Sequence, residues 1–203
     1  MTHQRSSVRI VYSSLDVKAW MQEMPSVTVG RPEQCPCCGA AGSPLGCRVQ
    51  LHGHGTRSRQ VRGPLRPYDE PQEVQIRTRR YLCRQCGAVV QVVPRGVLRC
   101  RLFSANAIAL ALALWALYKL PAAEVRRRVS PWRKLGATAA SGWASLRRWV
   151  SQGSQLFSWV RPSPQTWKAR HCAERIATTL ASNAPGNTDE LLACAFVGAA
   201  QPS

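Results

Sequence analysis

An α+β fold is the one this sequence predicts, on three observations. Apolar and polar residues alternate through much of the stretch from 47 to 93, the period of half-buried strands. From 103 onward apolar residues recur at intervals of three and four, the period of amphipathic helices. Two cysteine pairs, Cys35-Pro36-Cys37-Cys38-Gly39 and Cys83-Arg84-Gln85-Cys86-Gly87, bracket the β-rich part. The expected architecture is a small β zinc ribbon, then a three-helix, helix-turn-helix-like bundle, then a short helical tail. The boundaries it implies are a strand-helix segment over 1–30, the ribbon over 31–100, the bundle over 101–152, and a linker with its tail over 153–203.

The cysteine spacing carries the metal. A tight turn closing on glycine points both thiols of a C-x-x-C pair inward, and the glycine admits the positive φ such a turn requires. Cys35, Cys38, Cys83 and Cys86 are the expected ligands of one structural zinc per chain. Cys37 stands inside the first pair and is the alternative to its neighbour. Cys47 with His52 and His54 offers a second set of metal donors, weighed against histidines that only hydrogen-bond locally or touch phosphate. Nine cysteines are an odd number for a disulfide framework, so the remaining thiols are expected to be small buried side chains.

The elements follow in order. Residues 8–12 read as a short strand. Ser13 is the expected cap of a helix over 14–23, with Asp16 as its capping-box partner and Leu15, Ala19 and Trp20 on the buried side. Residues 47–51 alternate, 56–62 supply a hairpin partner, and Pro64, Pro67 and Pro71 mark a loop. The strand over 73–82 puts Val74, Ile76 and Thr78 on one face, and Arg77 and Arg79 on the other. Residues 88–93 form the last strand. Ser104 caps a helix over 105–119 with two apolar stripes, buried on two sides. The uncharged stretch of seventeen residues over 102–118 is short and alanine-rich for a membrane span, so a core helix is expected. Pro121 opens a helix over 122–129. Thr138 or Ser141 opens a third, to about 151, buried through Trp143, Leu146 and Trp149. The Ser/Pro/Gln-rich stretch 151–166 reads as a linker, followed by helices near 167–182 and 189–197.

Charge points to the partner. The chain holds 28 Lys+Arg against 10 Asp+Glu, net +18, and 24 of the basic residues are arginine. The excess is local: +9 within 47–101 and +7 within 119–149. Such density attracts a polyanion through counterion release, and Arg forks onto phosphates and guanine edges. Double-stranded DNA is the expected partner, contacted by Arg57, Arg59, Arg77, Arg79, Arg126, Arg127, Arg128, Arg133, Lys134, Arg147 and Arg148. RNA shares the charge argument. No Ser/His/Asp, paired-carboxylate or phosphate-loop pattern is present, so an enzyme is not expected. With no secretory start, a cytoplasmic protein is expected.

C-P-x-C-G, the stretch Gly53-His54-Gly55-Thr56-Arg57-Ser58-Arg59, the approach Arg79-Arg80-Tyr81-Leu82-Cys83 and the helices that follow resemble the zinc-binding amino-terminal region of bacterial insertion-sequence transposases and related mobile-element proteins. The resemblance covers roughly residues 30–150. It implies a ribbon and a helix-turn-helix that together bind the element's terminal repeats. The family's catalytic carboxylates have no counterpart: after residue 150 only Glu174, Asp189 and Glu190 are acidic. The expectation is a recognition half without the cutting half, serving as an accessory, regulatory or truncated protein. The rival expectation is a protein-interaction module docking on a transposase or other larger complex. A homo-oligomer is compatible with either.

Overall fold

A computed structural model describes residues 8–133, 142–164, 166–186 and 190–201. Among them it shows a mixed α+β chain with four strands and seven helices. The chain forms two compact units, Met1–Gln60 with Gln75–Arg95, and Val61–Val74 with Gly96–Ser203.

The first unit is organised by a sheet of order β1-β4-β3-β2. Strand β1 (Arg9–Tyr12) runs parallel to β4 (Val89–Val93), with Arg9 opposite Val90 and Tyr12 opposite Val93. Strand β3 (Gln72–Cys83) is antiparallel to β4, with Arg79 opposite Val92 and Leu82 opposite Val89. Strand β2 (Leu51–Gly63) forms the edge. The amino-terminal strand therefore belongs to the same sheet as the three strands between residues 51 and 93. Helix α1 (Val17–Gln22) buries Val17 and Trp20. The Trp20 indole N–H donates to the Arg77 carbonyl at 2.8 Å. Buried polar groups are paired, as burial demands: the Thr78 hydroxyl donates to the Arg57 carbonyl at 2.9 Å and accepts from the Gln91 amide at 2.7 Å.

The structure departs from two local expectations. Asp16 is the N-cap of α1, accepting from the Ala19 amide at 2.8 Å, whereas Ser13 accepts from Leu15 two residues on. An aspartate poised at the first turn satisfies a free N–H directly, so the helix starts later and leaves Leu15 outside it. Residues 47–50 do not form a strand; β2 begins at Leu51.

The second unit is built around α2 (Ala105–Ala116), capped by Ser104, whose hydroxyl accepts from the Ala107 amide at 3.1 Å. Only Asn106 and Trp115 of this helix are not buried. Around it lie α3 (Ala122–Val129), α4 (Ala144–Ser151), α5 (Gly153–Leu156), α6 (Ala169–Ser182) and α7 (Leu191–Gly198). Alanines 107, 109, 111, 113 and 116 of α2, with Ala173 and Ala177 of α6 and Ala195 of α7, are fully buried. Side chains this small let helix backbones approach closely. Asn106 ties α2 to α7 by donating to the Phe196 carbonyl at 2.8 Å. Phe103, Trp143 and Trp149 pack edge to face, with centroids 4.9 to 5.9 Å apart, the geometry that aromatic quadrupoles favour.

Helices α6 and α7, expected as a tail, are thus part of the same core as α2–α4. Phe157 and Val160, within the expected linker, are each 3% exposed. The Ser/Pro/Gln composition masked two anchors that join the cluster holding Leu146 and Trp149 of α4 and Ala173 and Ile176 of α6. Helix α3 has the expected bounds. Helix α4 starts at Ala144, and the expected openings at Thr138 and Ser141 lie outside the described residues.

Candidate metal centre and arginine surfaces

The two knuckles are built alike. In the first, the Cys35 amide donates to the Ala40 carbonyl at 2.8 Å and the Gly39 amide to the Cys35 carbonyl at 2.9 Å. In the second, Cys83 donates to Ala88 at 2.9 Å and Gly87 to Cys83 at 2.9 Å. Gly39 and Gly87 sit at φ 73° and 70°, the left-handed conformation that closes each turn. The first thiol of each knuckle, Cys35 or Cys83, is buried, and the second, Cys38 or Cys86, is exposed.

All four sulfur atoms lie within 4.8 Å of one another. Cys35 Sγ is 3.8 Å from Cys86 Sγ, and Cys38 Sγ is 3.7 Å from Cys83 Sγ. A disulfide holds its sulfurs about 2 Å apart, so these are not disulfides. A tetrahedron with metal–sulfur bonds of about 2.3 Å has edges near 3.8 Å, which the cross-knuckle pairs match. The four thiols are placed to hold a metal ion. Cys37 is exposed and outside the cluster, which resolves the alternative in favour of Cys35 and Cys38. Among the described residues no second group of three donors assembles around Cys47, His52 and His54.

The electrostatics of the bare thiols suit a cation. Burial pushes Cys83 up, but the amides of Cys86 and Gln85 and the thiols of Cys86 and Cys35 outweigh it and hold Cys83 at about 7. At Cys86 the Ala88 amide pulls down, yet burial and the other three thiols together push it up to about 12. Cys38 is also raised: the Ala40 amide pulls down, against burial and the thiols of Cys83 and Cys35. One thiolate forms readily and then resists the others. A dication removes that resistance, because metal binding displaces the thiol protons.

The four-thiol cluster lies at the end of β3, whose last residue is Cys83. Up the same strand, Arg77 is exposed and its guanidinium donates to Thr56 Oγ1 at 2.9 Å. Arg79 is half-buried and donates to the Pro25 carbonyl at 2.7 Å. Val74, Ile76 and Thr78 are buried on the opposite face, as the alternation predicts. On β2, Arg57 is exposed and Arg59 half-buried; burial holds the Tyr12 phenol above its ordinary value, against the lowering pull of the Arg59 charge.

In the helical unit, Arg127, Arg128, Arg133, Arg147 and Arg148 are exposed. Arg126 is not: it is 6% exposed, which corrects its expected place among the DNA-contacting side chains. It falls on the stripe Ala122, Val125, Arg126, Val129, at the spacing of a buried helix face, a signal present in the sequence. Arg127 and Arg128 share the Glu124 carboxylate, Arg128 at 2.7 Å. Lys134 lies outside the described residues. Sequence reading missed Arg62, which pairs with Glu73 at 2.6 Å and lies over the exposed Trp132 ring, 5.2 Å from its centroid.

No helix among the described residues is long and apolar enough to cross a membrane. No family model matches this chain, no curated protein matches it, and no solved structure matches it.

Proposed function

We propose that this chain is a zinc-containing protein that binds double-stranded DNA. The observation that carries the reading is the four-thiol cluster at the foot of an arginine-bearing strand. Cys83 ends β3, and Arg77 and Arg79 stand six and four residues up it, about 13–20 Å away at strand rise. Zinc held by Cys35, Cys38, Cys83 and Cys86 would fix the strand ends and hence the positions of those guanidiniums. Zinc suits four thiolates with tetrahedral spacing, and four protein ligands leave no position for a reactive water. The metal's role is structural, and no catalysis forms part of the reading.

The helical unit supplies a second basic surface. Arg147 and Arg148 project from α4 off the Leu146/Trp149 stripe, the place from which a reading helix contacts base edges. Arg127 and Arg128 would exchange the Glu124 carboxylate for phosphate. A helix-turn-helix made by α3 and α4, and a role as an accessory, regulatory or truncated transposase-like protein of a mobile element, extend this reading through the resemblance of the cysteine and arginine motifs. Binding should weaken by about 10³-fold between about 50 and 200 mM salt if some six phosphates are neutralised. Fluorescence anisotropy on a labelled duplex measures this, and a flat profile rejects the reading.

One observation favours a second reading. Leu45, beside the first knuckle, is fully exposed, and Val29 is 78% exposed. These suit a protein-docking module, which predicts a shallow salt dependence.

A further inference from the structure

We propose that the helical unit carries a nucleotide pocket, one that receives a flat heteroaromatic base with its phosphate. The cavity has a volume of about 340 Å³, within the usual range of small-ligand pockets, about 300–1,000 Å³. Its floor is apolar: Val160, Cys172 and Ile176 are 3%, 7% and 1% exposed. Its rim holds the exposed indole of Trp167 and the exposed guanidiniums of Arg147 and Arg161. No carboxylate lines it among the described residues. The larger cavity of this unit, by contrast, sets Asp69, Glu70 and Glu124 against Arg127, Arg128 and Arg133, so its charges are balanced internally and offer an anion little.

Trp167 is pre-positioned. Arg175 lies over its ring, 5.6 Å from the centroid. The same guanidinium donates to the carbonyls of Arg161 and Pro162, the latter at 2.9 Å. One side chain thus fixes both the aromatic wall and the segment that carries the Arg161 charge, and a preformed wall lowers the cost of binding. An apolar floor with an aromatic wall accepts the face of a base, because every base has a π surface. Two unbalanced guanidiniums at the rim accept its phosphate. Arg147, assigned above to base reading on α4, would then grip the backbone of a nucleotide seated beside it.

This chemistry has two sources: an unpaired nucleotide in DNA, which rests on the DNA-binding reading above, and a free nucleotide, which does not. Two titrations of the full, zinc-loaded chain separate them. The first measures adenosine monophosphate against adenosine by calorimetry. The second measures duplexes carrying 2-aminopurine, either paired or as a single-nucleotide bulge, by its fluorescence. The monophosphate should bind more tightly than the nucleoside. Trp167→Ala should weaken it at least five-fold, the lower end of one base–aromatic stack, while Trp167→Phe keeps most of the affinity and controls for folding. Preference for the bulge supports the nucleic-acid source. Binding of the monophosphate with no bulge preference keeps the pocket and rejects that source. Absence of saturable binding by either probe, or a folded Trp167→Ala chain that binds as wild type, overturns the pocket. Salt-dependent duplex binding that survives this result leaves the DNA reading intact; its absence beside monophosphate binding removes that reading and leaves the pocket standing.

Discussion

Replacing Gly39 or Gly87 by alanine perturbs the metal site without touching a ligand. Both glycines occupy the left-handed region, at φ 73° and 70°. An added Cβ meets nothing within 4 Å at either position, so the cost is backbone conformation alone. For an ordinary L-residue that cost is about 1–2 kcal/mol. Each glycine closes its knuckle by donating to the carbonyl of the first cysteine at 2.9 Å, and knuckle folding is coupled to metal binding. The strain should therefore appear as about 5- to 30-fold weaker zinc affinity for either variant, at tenfold per 1.4 kcal/mol. Asparagine, which enters the left-handed region more readily than other residues, should recover part of the loss. Gly142, which also has open space but no positive φ, is the control, and its alanine variant should bind zinc as wild type. Competition against a chromophoric chelator measures all of these. The reasoning fails if the alanine variants match wild type, if asparagine costs as much as alanine, or if only one knuckle responds.

Trp20→Phe removes the indole N–H from the Arg77 carbonyl in a part-buried contact and should lower stability by about 0.5–1.5 kcal/mol in urea unfolding. Glu124→Gln should raise duplex affinity at low salt by freeing Arg127 and Arg128. Bonds from Arg127 and then Arg128 hold the Glu124 carboxyl below its usual range. The stability it lends is therefore present above the unfolded value near 4.3 and is lost as pH falls through the lowered one. Wild type should exceed Glu124→Gln in urea midpoint at neutral pH and converge with it in acid; an unchanged gap would contradict this. Arg148→Ala should relax sequence preference, at about 1–3 kcal/mol per lost base contact, whereas Arg127→Ala should weaken selected and scrambled duplexes alike.

The parts of this fold that were legible in the sequence are local. C-x-x-C-G names its own turn, so the four candidate ligands are legible from spacing, and the structure brings those four thiols together. Ser104 and Pro121 are start signals read from one residue each, and α2 and α3 begin where they place them. The illegible parts depend on distant pairing. Nothing in residues 9–12 says that they lie parallel to 90–93, because parallel strands carry no connecting turn. Phe157 and Val160 find their burial only against helices closed by the rest of the chain. Arg126 was misplaced for a different reason: its charge was weighed, and its position on the Val125/Val129 stripe was not. The exposed Arg127 and Arg128 are held by Glu124, an i,i+3 and i,i+4 pairing that the sequence also displays.

The most direct test of a zinc-held, arginine-bearing ribbon is X-ray absorption at the zinc edge on the full chain purified without chelator. The expected spectrum shows one zinc per chain with four sulfur neighbours at about 2.3 Å. Absence of zinc, or a first shell containing nitrogen or oxygen, would contradict it.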